Sequence, residues 1–272
     1  MALVPFSHAS PFAEEYHADQ PLREFELCGR TLRLRQCRAA TVHQQREGPG
    51  GEKELGFGGT VRQASFVLAE LLARQPERVA GRSVVELGAG LGLVSIVAAL
   101  CGAARVAATD GDAELLETCA ANVAANGVEG TVDVRALRWG DDEAAARVGG
   151  WGFGGGGSVG DGGAGEGEGG GGVGGARGFD VVLAADVVCV VYEAAFEALL
   201  LSLRQLATPA SLILLSYRRR HGSEARFFEL LGESFECEAL PRAALHADFG
   251  AEDHPITVFQ LRLRRREGAE GD

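Results

Sequence analysis

The stretch SVVELGAGLG, residues 83–92, decides the fold of this chain. It opens with a short apolar run, continues through Glu86 and three alternating glycines, and leads into the apolar segment 93–100. This order predicts a strand, a tight turn and a helix. Glycine permits backbone angles closed to other residues, and the N–H groups at a helix N-terminus attract negative charge. The sequence therefore predicts a binding site for a polar or anionic group at this turn.

The spacing of the glycines narrows the choice of ligand. A dinucleotide-binding turn reads G-x-G-x-x-G, but Leu93 stands where the last glycine would be. Glu86 adds an acidic residue two places before Gly88. The resulting pattern, E-x-G-x-G-x-G, resembles the first motif of class I S-adenosylmethionine (SAM)-dependent methyltransferases. Another nucleotide site and a purely structural turn remain the alternatives at this point.

Composition limits the class of protein and its partners. A chain of 272 residues with 46% hydrophobic content can bury the core of one medium-sized domain. Its net charge of −12 disfavours a nucleic-acid substrate and favours a basic peptide or protein. The six cysteines form no C-x-x-C pair, which argues against structural zinc and for reduced thiols in a cytoplasmic, or also nuclear, protein.

Nothing in the sequence predicts a targeting or membrane-spanning segment. The first residues lack the pattern of a signal peptide, and Glu14 and Glu15 argue against a transit peptide. The apolar run 87–108 is interrupted by glycines, so it fits a turn, a core helix and a strand better than a membrane span. We therefore expect a soluble protein without a membrane partner.

The hydrophobic pattern predicts the elements before and after the glycine turn. Residues 22–37 alternate around Cys28-Gly29 and predict a hairpin, appended to the main sheet, with Phe25, Leu27, Leu32 and Leu34 facing inward. Polar residues 43–59 predict a loop, and 60–73 a helix. We expect further strands at 105–109, 132–137, 179–185, 212–217 and 256–263, and helices at 112–126, 192–206 and 224–231. This alternation predicts an α/β fold with a mostly parallel sheet and helices on both faces.

Asp110 and the glycine-rich residues 149–175 each carry a separate prediction. Asp110 ends the strand after the glycine turn, at the sheet edge where open α/β folds bind ligands, so it is a candidate partner for ribose hydroxyls. Its alternative role is to cap the next helix.

Residues 149–175 are mostly glycine, and such a segment cannot bury enough apolar area to offset its ordering entropy. We therefore predict a disordered insert there.

Four stretches carry a specific resemblance: GGTVRQASFVLAELL (58–72), VRALRWGD (134–141), VVLAADVV (181–188) and SYRRRHGSEARFF (216–228). Together they resemble the family-16 seven-strand methyltransferases, the methyltransferase-like 21 group, over residues 25–263 without the insert. The resemblance implies a class I, Rossmann-like seven-stranded domain at 58–264, after an N-terminal extension (1–57) and before a polar tail (265–272). It also implies methyl transfer from S-adenosyl-L-methionine to lysines of non-histone proteins.

The resemblance also implies roles for individual residues. Glu86, Gly88, Ala89 and Gly90 would hold the methionine end of the cofactor, and Asp110 the ribose. Trp139 would flank the adenine, although a core aromatic is its alternative. Ala185 would pack against the cofactor, and Asp186 opens the D-x-x-Y motif beside the incoming lysine. The arginines 218–220 are expected to form a solvated basic cluster.

The chain departs from the family pattern at two places. Arg62 stands where the family has tryptophan, which removes an aromatic wall of the cofactor pocket. Cys189 stands in the tyrosine slot of D-x-x-Y, and Tyr192 follows three residues later, so either residue could complete the catalytic site with Asp186. These departures keep two other hypotheses open. One is a non-catalytic interaction module with this fold, and the other is a methyltransferase acting on a protein histidine or a small molecule.

The resemblance implies a protein substrate, such as a chaperone, an elongation factor or another abundant cytosolic protein. We expect a monomer, with no nucleic-acid partner and no metal. The group His246, Asp248, Asp253 and His254 has metal-ligand chemistry, but its loop composition does not favour a site.

Overall fold

The computed structural model describes residues 20–37, 45–47, 53–55, 58–151, 178–189, 194–220 and 224–264. The strands are β1 (Leu22–Leu27), β2 (Arg30–Arg35), β3 (Gln45–Glu47), β4 (Lys53–Leu55), β5 (Ser83–Leu87), β6 (Arg105–Asp110), β7 (Val132–Ala136), β8 (Phe179–Ala185), β9 (Ala207–Arg218), β10 (Phe235–Ala239) and β11 (Ile256–Leu263). The α-helices are α1 (Gln63–Arg74), α2 (Leu93–Leu100), α3 (Ala113–Ala125), α4 (Asp142–Trp151), α5 (Phe196–Leu206) and α6 (Ala225–Ser234). In these ranges, every helix is too short or too polar to cross a membrane.

Seven strands form the main sheet, in the order β10-β11-β9-β8-β5-β6-β7. The neighbours from β7 to β9 pair in parallel, whereas β11 is antiparallel to both β9 and β10. The chain leaves β5 towards β6 on one side and later returns to β8 on the other. Open α/β sheets bind ligands at such a reversal, beyond the carboxyl ends of the strands. The predicted fold class, a mostly parallel Rossmann-like sheet, is confirmed.

Helices cover both faces of this sheet, as the alternation of strands and helices predicts. Helices α1, α2 and α3 pack on one face together with the β1–β2 hairpin. Helices α4, α5 and α6 pack on the other. Successive residues of the central strand β5 face opposite sides of the sheet. Val84 belongs to the hydrophobic cluster on the first face and Val85 to the cluster on the second. Strands buried on both faces account for the continuous apolar runs in the sequence.

The N-terminal hairpin is confirmed, with all four predicted inner residues buried: Phe25, Leu27, Leu32 and Leu34. Strands β1 and β2 form a sheet of their own, separate from the main one. Their apolar face nevertheless belongs to the main core, because the Phe25 ring stacks on Phe66 of α1 at a centroid distance of 5.8 Å. The hairpin is therefore a structural part of the domain.

The structure differs from the sequence predictions at several elements. The predicted loop 43–59 is wrong in part, because β3 and β4 pair antiparallel within it. The predicted insert begins too early, since residues 149–151 close α4, and residues 152–175 lie outside the described residues. Strand β10 was not predicted because a single buried residue in five leaves no alternation to detect. The N-terminal residues of the predicted helix 192–206 lie partly outside the described residues, and α5 begins at Phe196.

Candidate active site

The turn between β5 and α2 is built from glycines in the left-handed region. Gly88 and Gly90 have φ angles of +69° and +53°. A Cβ on Gly88 would lie 2.8 Å from Val187 Cγ1 and 3.3 Å from Trp139 Cζ2, and one on Gly90 would lie 3.1 Å from the Gly58 carbonyl oxygen. Backbone angle and space therefore both favour glycine at these two positions. The close packing brings three separate chain segments to one turn.

Glu86 lies in β5, immediately below this turn, and its side chain is buried. The Ser95 hydroxyl of α2 donates a hydrogen bond to its carboxyl group. Burial raises the pKa of Glu86 to about 8, with a smaller contribution from the nearby Asp110 carboxyl. The free protein therefore holds this carboxyl group mostly protonated at neutral pH, and a cation placed beside it would favour loss of the proton.

Asp110 ends β6 and faces the same turn. Its Oδ2 accepts a hydrogen bond from the Gly90 N–H at 2.9 Å, and its Oδ1 accepts one from the Asp112 N–H at 3.1 Å. Burial raises its pKa. The alternative role as a helix cap falls to Asp112, whose side chain accepts from the N–H groups of Glu114 and Leu115 at the start of α3. Each Asp110 oxygen keeps a lone pair that can accept a hydroxyl.

The segment 58–62 lies over the turn and is held by the N-terminal hairpin. The Gln36 side chain accepts from the Val61 N–H at 2.9 Å, and Arg23 donates to the Val61 carbonyl at 3.0 Å. Arg62 follows as the residue that precedes α1, and it lines the cavity. The hairpin thus positions one wall of the site.

Trp139 lies between β7 and α4 and also lines the cavity. It is half-buried and packs against the second core cluster, and its indole edge lies beside Gly88. Trp139 therefore both packs in the core and lines the cavity, and its role beside the adenine stays a prediction.

The end of β8 supplies the remaining predicted residues. Ala185 is its last residue, and Asp186 follows with a φ angle of +58° and an N–H that donates to the Ser216 carbonyl of β9 at 2.9 Å. Cys189 is half-buried and lines the cavity. Tyr192 lies outside the described residues, so the choice between Cys189 and Tyr192 stays a prediction.

Arg220 corrects the expectation of a solvated basic cluster. Its Nη2 donates to both carboxylate oxygens of Asp186, at 3.0 and 2.7 Å, whereas Arg219 is exposed as expected. The partners are 34 positions apart in the sequence. No local pattern could have paired them, and the parallel pairing of β8 with β9 brings them together.

These residues line one cavity of about 930 Å³ at the carboxyl ends of β5, β6 and β8. That volume lies in the range of small-molecule sites. The cavity collects every predicted site residue that the structure describes: Arg62, Glu86, Gly88, Ala89, Gly90, Asp110, Trp139, Ala185, Asp186 and Cys189. Across the described ranges, no cluster of three or more His, Cys, Asp or Glu side chains is arranged to hold a metal ion.

Sequence reasoning missed Ser95 as well as Arg220. Ser95 is the one polar residue in the apolar helix α2, at full burial, and this isolated hydroxyl was a usable signal for a buried partner.

Comparison with known proteins decides which family this fold and cavity belong to. The sequence profile of a lysine methyltransferase family matches residues 50–148 and 173–234, more than half of the chain. The chain belongs to the lysine methyltransferase family. Its cofactor is S-adenosylmethionine.

Individual relatives agree with this assignment. The protein N-lysine methyltransferase METTL21A of Danio rerio is 32% identical over 242 residues, covering 88% of this chain and 89% of the relative. The EEF1A lysine methyltransferase 3 of Mus musculus is 32% identical over 79% of this chain and 75% of its own length. A crystal structure of a methyltransferase with bound SAH has a TM-score of 0.52 at 13% identity. The likeness covers 89% of this chain but only about half, 56%, of that structure, and it supports the fold alone.

Proposed function

We propose that this lysine methyltransferase transfers a methyl group from SAM to a lysine side chain of a protein, at the cavity beyond β5, β6 and β8. The observation that carries the proposal is the convergence in that cavity of the glycine turn, Glu86, Asp110 and Asp186. These residues come from three strands and are separated by up to a hundred positions in the sequence. A purely structural turn would not require two buried carboxyl groups beside it.

The residues present fit the cofactor. SAM supplies an electrophilic methyl group on a positively charged sulfur. Glu86 is a buried carboxyl group that a neighbouring cation would ionise, and we assign it, with Gly88, Ala89 and Gly90, to the methionine end. Asp110 has acceptor capacity for a ribose diol, and Trp139 offers an aromatic surface for adenine. Arg62 and Ala185 complete the lining.

The residues of β8 and its following loop face the second reactant. A lysine with a pKa near 10.4 is neutral in roughly one molecule in 2,500 at pH 7, so deprotonation costs about 4.6 kcal/mol. Asp186 can orient the ammonium group by hydrogen bonds before its proton passes to water. We do not assign Asp186 as a strong base, because its negative charge also favours the ammonium form. Cys189 or Tyr192 would line the lysine channel.

The acceptor that we propose is a chaperone, an elongation factor or another abundant cytosolic protein. The acidic net charge of −12 supports a partner with a basic surface. The name of the mouse relative refers to the elongation factor EEF1A, which makes such a factor a reasonable first acceptor to assay. We further propose that the protein acts as a monomer in the cytoplasm, and also in the nucleus.

A labelling experiment tests the proposed reaction. The purified protein is incubated with methyl-tritiated SAM and dialysed cell extract, the labelled acceptor is isolated by gel electrophoresis, and its hydrolysate is examined by amino-acid analysis. We expect radioactive methyllysine with the wild-type protein. Radioactive methylhistidine or a labelled small molecule would contradict the lysine assignment. SAM binding without any transfer would favour the non-catalytic interaction module.

A further inference from the structure

The cavity contains an ion pair that the sequence did not reveal. Arg220 Nη2 contacts Asp186 Oδ1 at 3.0 Å and Oδ2 at 2.7 Å. The Asp186 side chain is 6% exposed and that of Arg220 is 24% exposed. Both residues line the cavity, at the end where the substrate lysine is proposed to enter. An ion pair this well buried interacts more strongly than a surface pair, because solvent screens it less.

Both partners are fixed by the backbone around them. Asp186 has a left-handed φ of +58°, which among the described non-glycine residues only Cys28 shares. Its N–H is held by the Ser216 carbonyl, and Arg220 Nη1 donates to the Arg218 carbonyl at 3.2 Å. A non-glycine residue in this conformation is strained, and such strain persists where the surroundings hold it in place. The carboxylate is therefore presented in one orientation.

The charge of this carboxylate poses a problem for the reaction. A carboxylate beside a lysine stabilises the ammonium form, which cannot accept a methyl group. A guanidinium that contacts both carboxylate oxygens offsets this field and leaves the pair neutral as a whole. The carboxylate keeps further lone pairs, so it can still accept a hydrogen bond from the amine.

We propose that Arg220 is a positioning residue for methyl transfer, which holds the Asp186 carboxylate in place and offsets its charge so that the incoming lysine loses its proton more readily. This proposal rests on the proposed lysine methylation. In this proposal Arg220 acts through its ion pair with Asp186, and the contact is with the carboxylate. The proton leaves to water, and no further reactant is needed.

Other titratable and charged groups lie on the elements around the cavity and define the controls. Tyr217, Arg218 and Arg219 lie at the end of β9, and the Tyr217 hydroxyl is near Glu224, the residue before α6. The others line the cavity: Arg62, Glu86, Asp110, Asp112 and Arg138. Arg219 is the useful comparison, because it carries the same charge next to Arg220 in the sequence but is exposed.

The test is the pH dependence of kcat for Arg220→Gln, measured with methyl-tritiated SAM and the acceptor isolated in the labelling experiment. The acidic limb of the kcat profile reports ionisation in the bound complex. Without the guanidinium, the uncompensated carboxylate favours the ammonium form of the bound lysine, so we expect the acidic limb to shift to higher pH by about one unit. At pH values on the acidic limb kcat should then fall about tenfold, and at high pH it should recover. The Kd for SAM should stay within about twofold. Arg220→Lys should keep the limb near its wild-type position, and Arg219→Gln should leave it unchanged.

Several results would overturn the proposal. An equal loss of kcat at every pH would show a merely structural role, and a rise in kcat or a lower KM would show that Arg220 blocks the lysine site. If Arg219→Gln shifted the acidic limb as far as Arg220→Gln does, the cause would be a long-range charge effect. Arg220→Met repeats the charge removal while keeping the apolar stem, so that a folding defect of one variant does not decide the result. If the wild-type protein makes no methyllysine, the proposed function fails first, which distinguishes the two failures.

Discussion

Two buried carboxyl groups lie beside the glycine turn, at the end of the cavity that we assign to the cofactor. Glu86 is the residue before the last in β5, and Asp110 ends the adjacent parallel strand β6. Both line one cavity, and burial raises the pKa of both. Ordinary surface carboxyl groups would be charged at pH 7 without any ligand. Glu86, with a pKa of about 8, differs from such a group, and a positively charged ligand beside it would favour its ionisation.

The pKa of Glu86, about 8, predicts a pH-dependent affinity for SAM. Below pH 8 the cation must displace a proton from Glu86, so we expect the Kd for SAM to decrease as the pH rises from 6 to 8 and to level off above. Because one proton is released, the Kd for SAM can change by at most about tenfold per pH unit. Isothermal titration at several pH values measures this, and Glu86→Gln should flatten the profile. A wild-type Kd independent of pH would contradict the assignment.

Gly90 provides a second test at the residue scale. Gly90→Ala would place a methyl group 3.1 Å from the Gly58 carbonyl, at a φ of +53°, so we expect SAM affinity to fall at least tenfold. Gly102→Ala is the matched control, since Gly102 has a φ of +86° but no atom closer than 3.9 Å and does not line the cavity. Both variants should lose about 1 kcal/mol of stability, measured by urea unfolding. Equal SAM affinity in the two variants would remove Gly90 from the site.

At the scale of elements, helix α3 connects the N-terminal hairpin to the glycine turn. The buried Asn122 side chain accepts from the Arg35 N–H at 2.7 Å and donates to the Arg35 carbonyl and to the Leu91 carbonyl, both at 3.0 Å. One turn later, Asn126 makes the same pair of hydrogen bonds with the Arg33 backbone. These two amides continue the pairing of β2 on its outer edge, and Asn122 also donates to Leu91 in the glycine turn.

Asn122 and Asn126 form a matched pair for a test of this connection. Each substitution to alanine removes three side-chain hydrogen bonds, one of them buried and two partly buried, so we expect each to lower the free energy of unfolding by about 3 kcal/mol. Asn122→Ala should also weaken SAM binding several-fold, because the Leu91 carbonyl loses its partner. Asn126→Ala should not, as it does not contact the turn. Unfolding and binding titrations on both variants measure the two effects, and equal SAM affinities would disprove the coupling.

The elements show what the sequence could and could not predict. Strands β5 and β8 and the glycine turn were predictable, because apolar runs and glycine spacing are local signals. The ion pair of Asp186 with Arg220 and the amide contacts of Asn122 were not. Asp186 and Arg220 are 34 positions apart in the sequence, and Asn122 and Arg35 are 87 apart. Asn122 also binds backbone groups, which carry no sequence signature. Helix α4 was missed because its C-terminal glycines look like the beginning of the glycine-rich segment.

For the whole molecule, the important feature is that one core includes the N-terminal hairpin. Phe25 is 2% exposed and stacks on Phe66, which in turn lies near Phe249 at a centroid distance of 6.1 Å. The hairpin, α1 and the segment before β11 thus share one apolar cluster. Because the hairpin also holds segment 58–62 over the cavity, its packing and the shape of the site are linked.

This continuity predicts how the molecule unfolds. Phe25→Ala should cost about 3–5 kcal/mol and lower the Tm of a single unfolding transition by roughly 10 °C. Calorimetry measures this shift. Thr31→Ala, on the exposed face of the same hairpin, should change the Tm by less than about 2 °C. A separate low-temperature transition in the Phe25 variant, with the main transition unchanged, would show that the hairpin is an independent appendage.

The most direct test of the central claim is a crystal structure of this protein with S-adenosylhomocysteine. We predict the product in the cavity beyond β5, β6 and β8, with its ribose hydroxyls on Asp110 and its amino-acid end against the turn at Gly88 and Gly90. A product molecule bound elsewhere, or a cavity filled by the protein's own side chains under saturating conditions, would contradict the account.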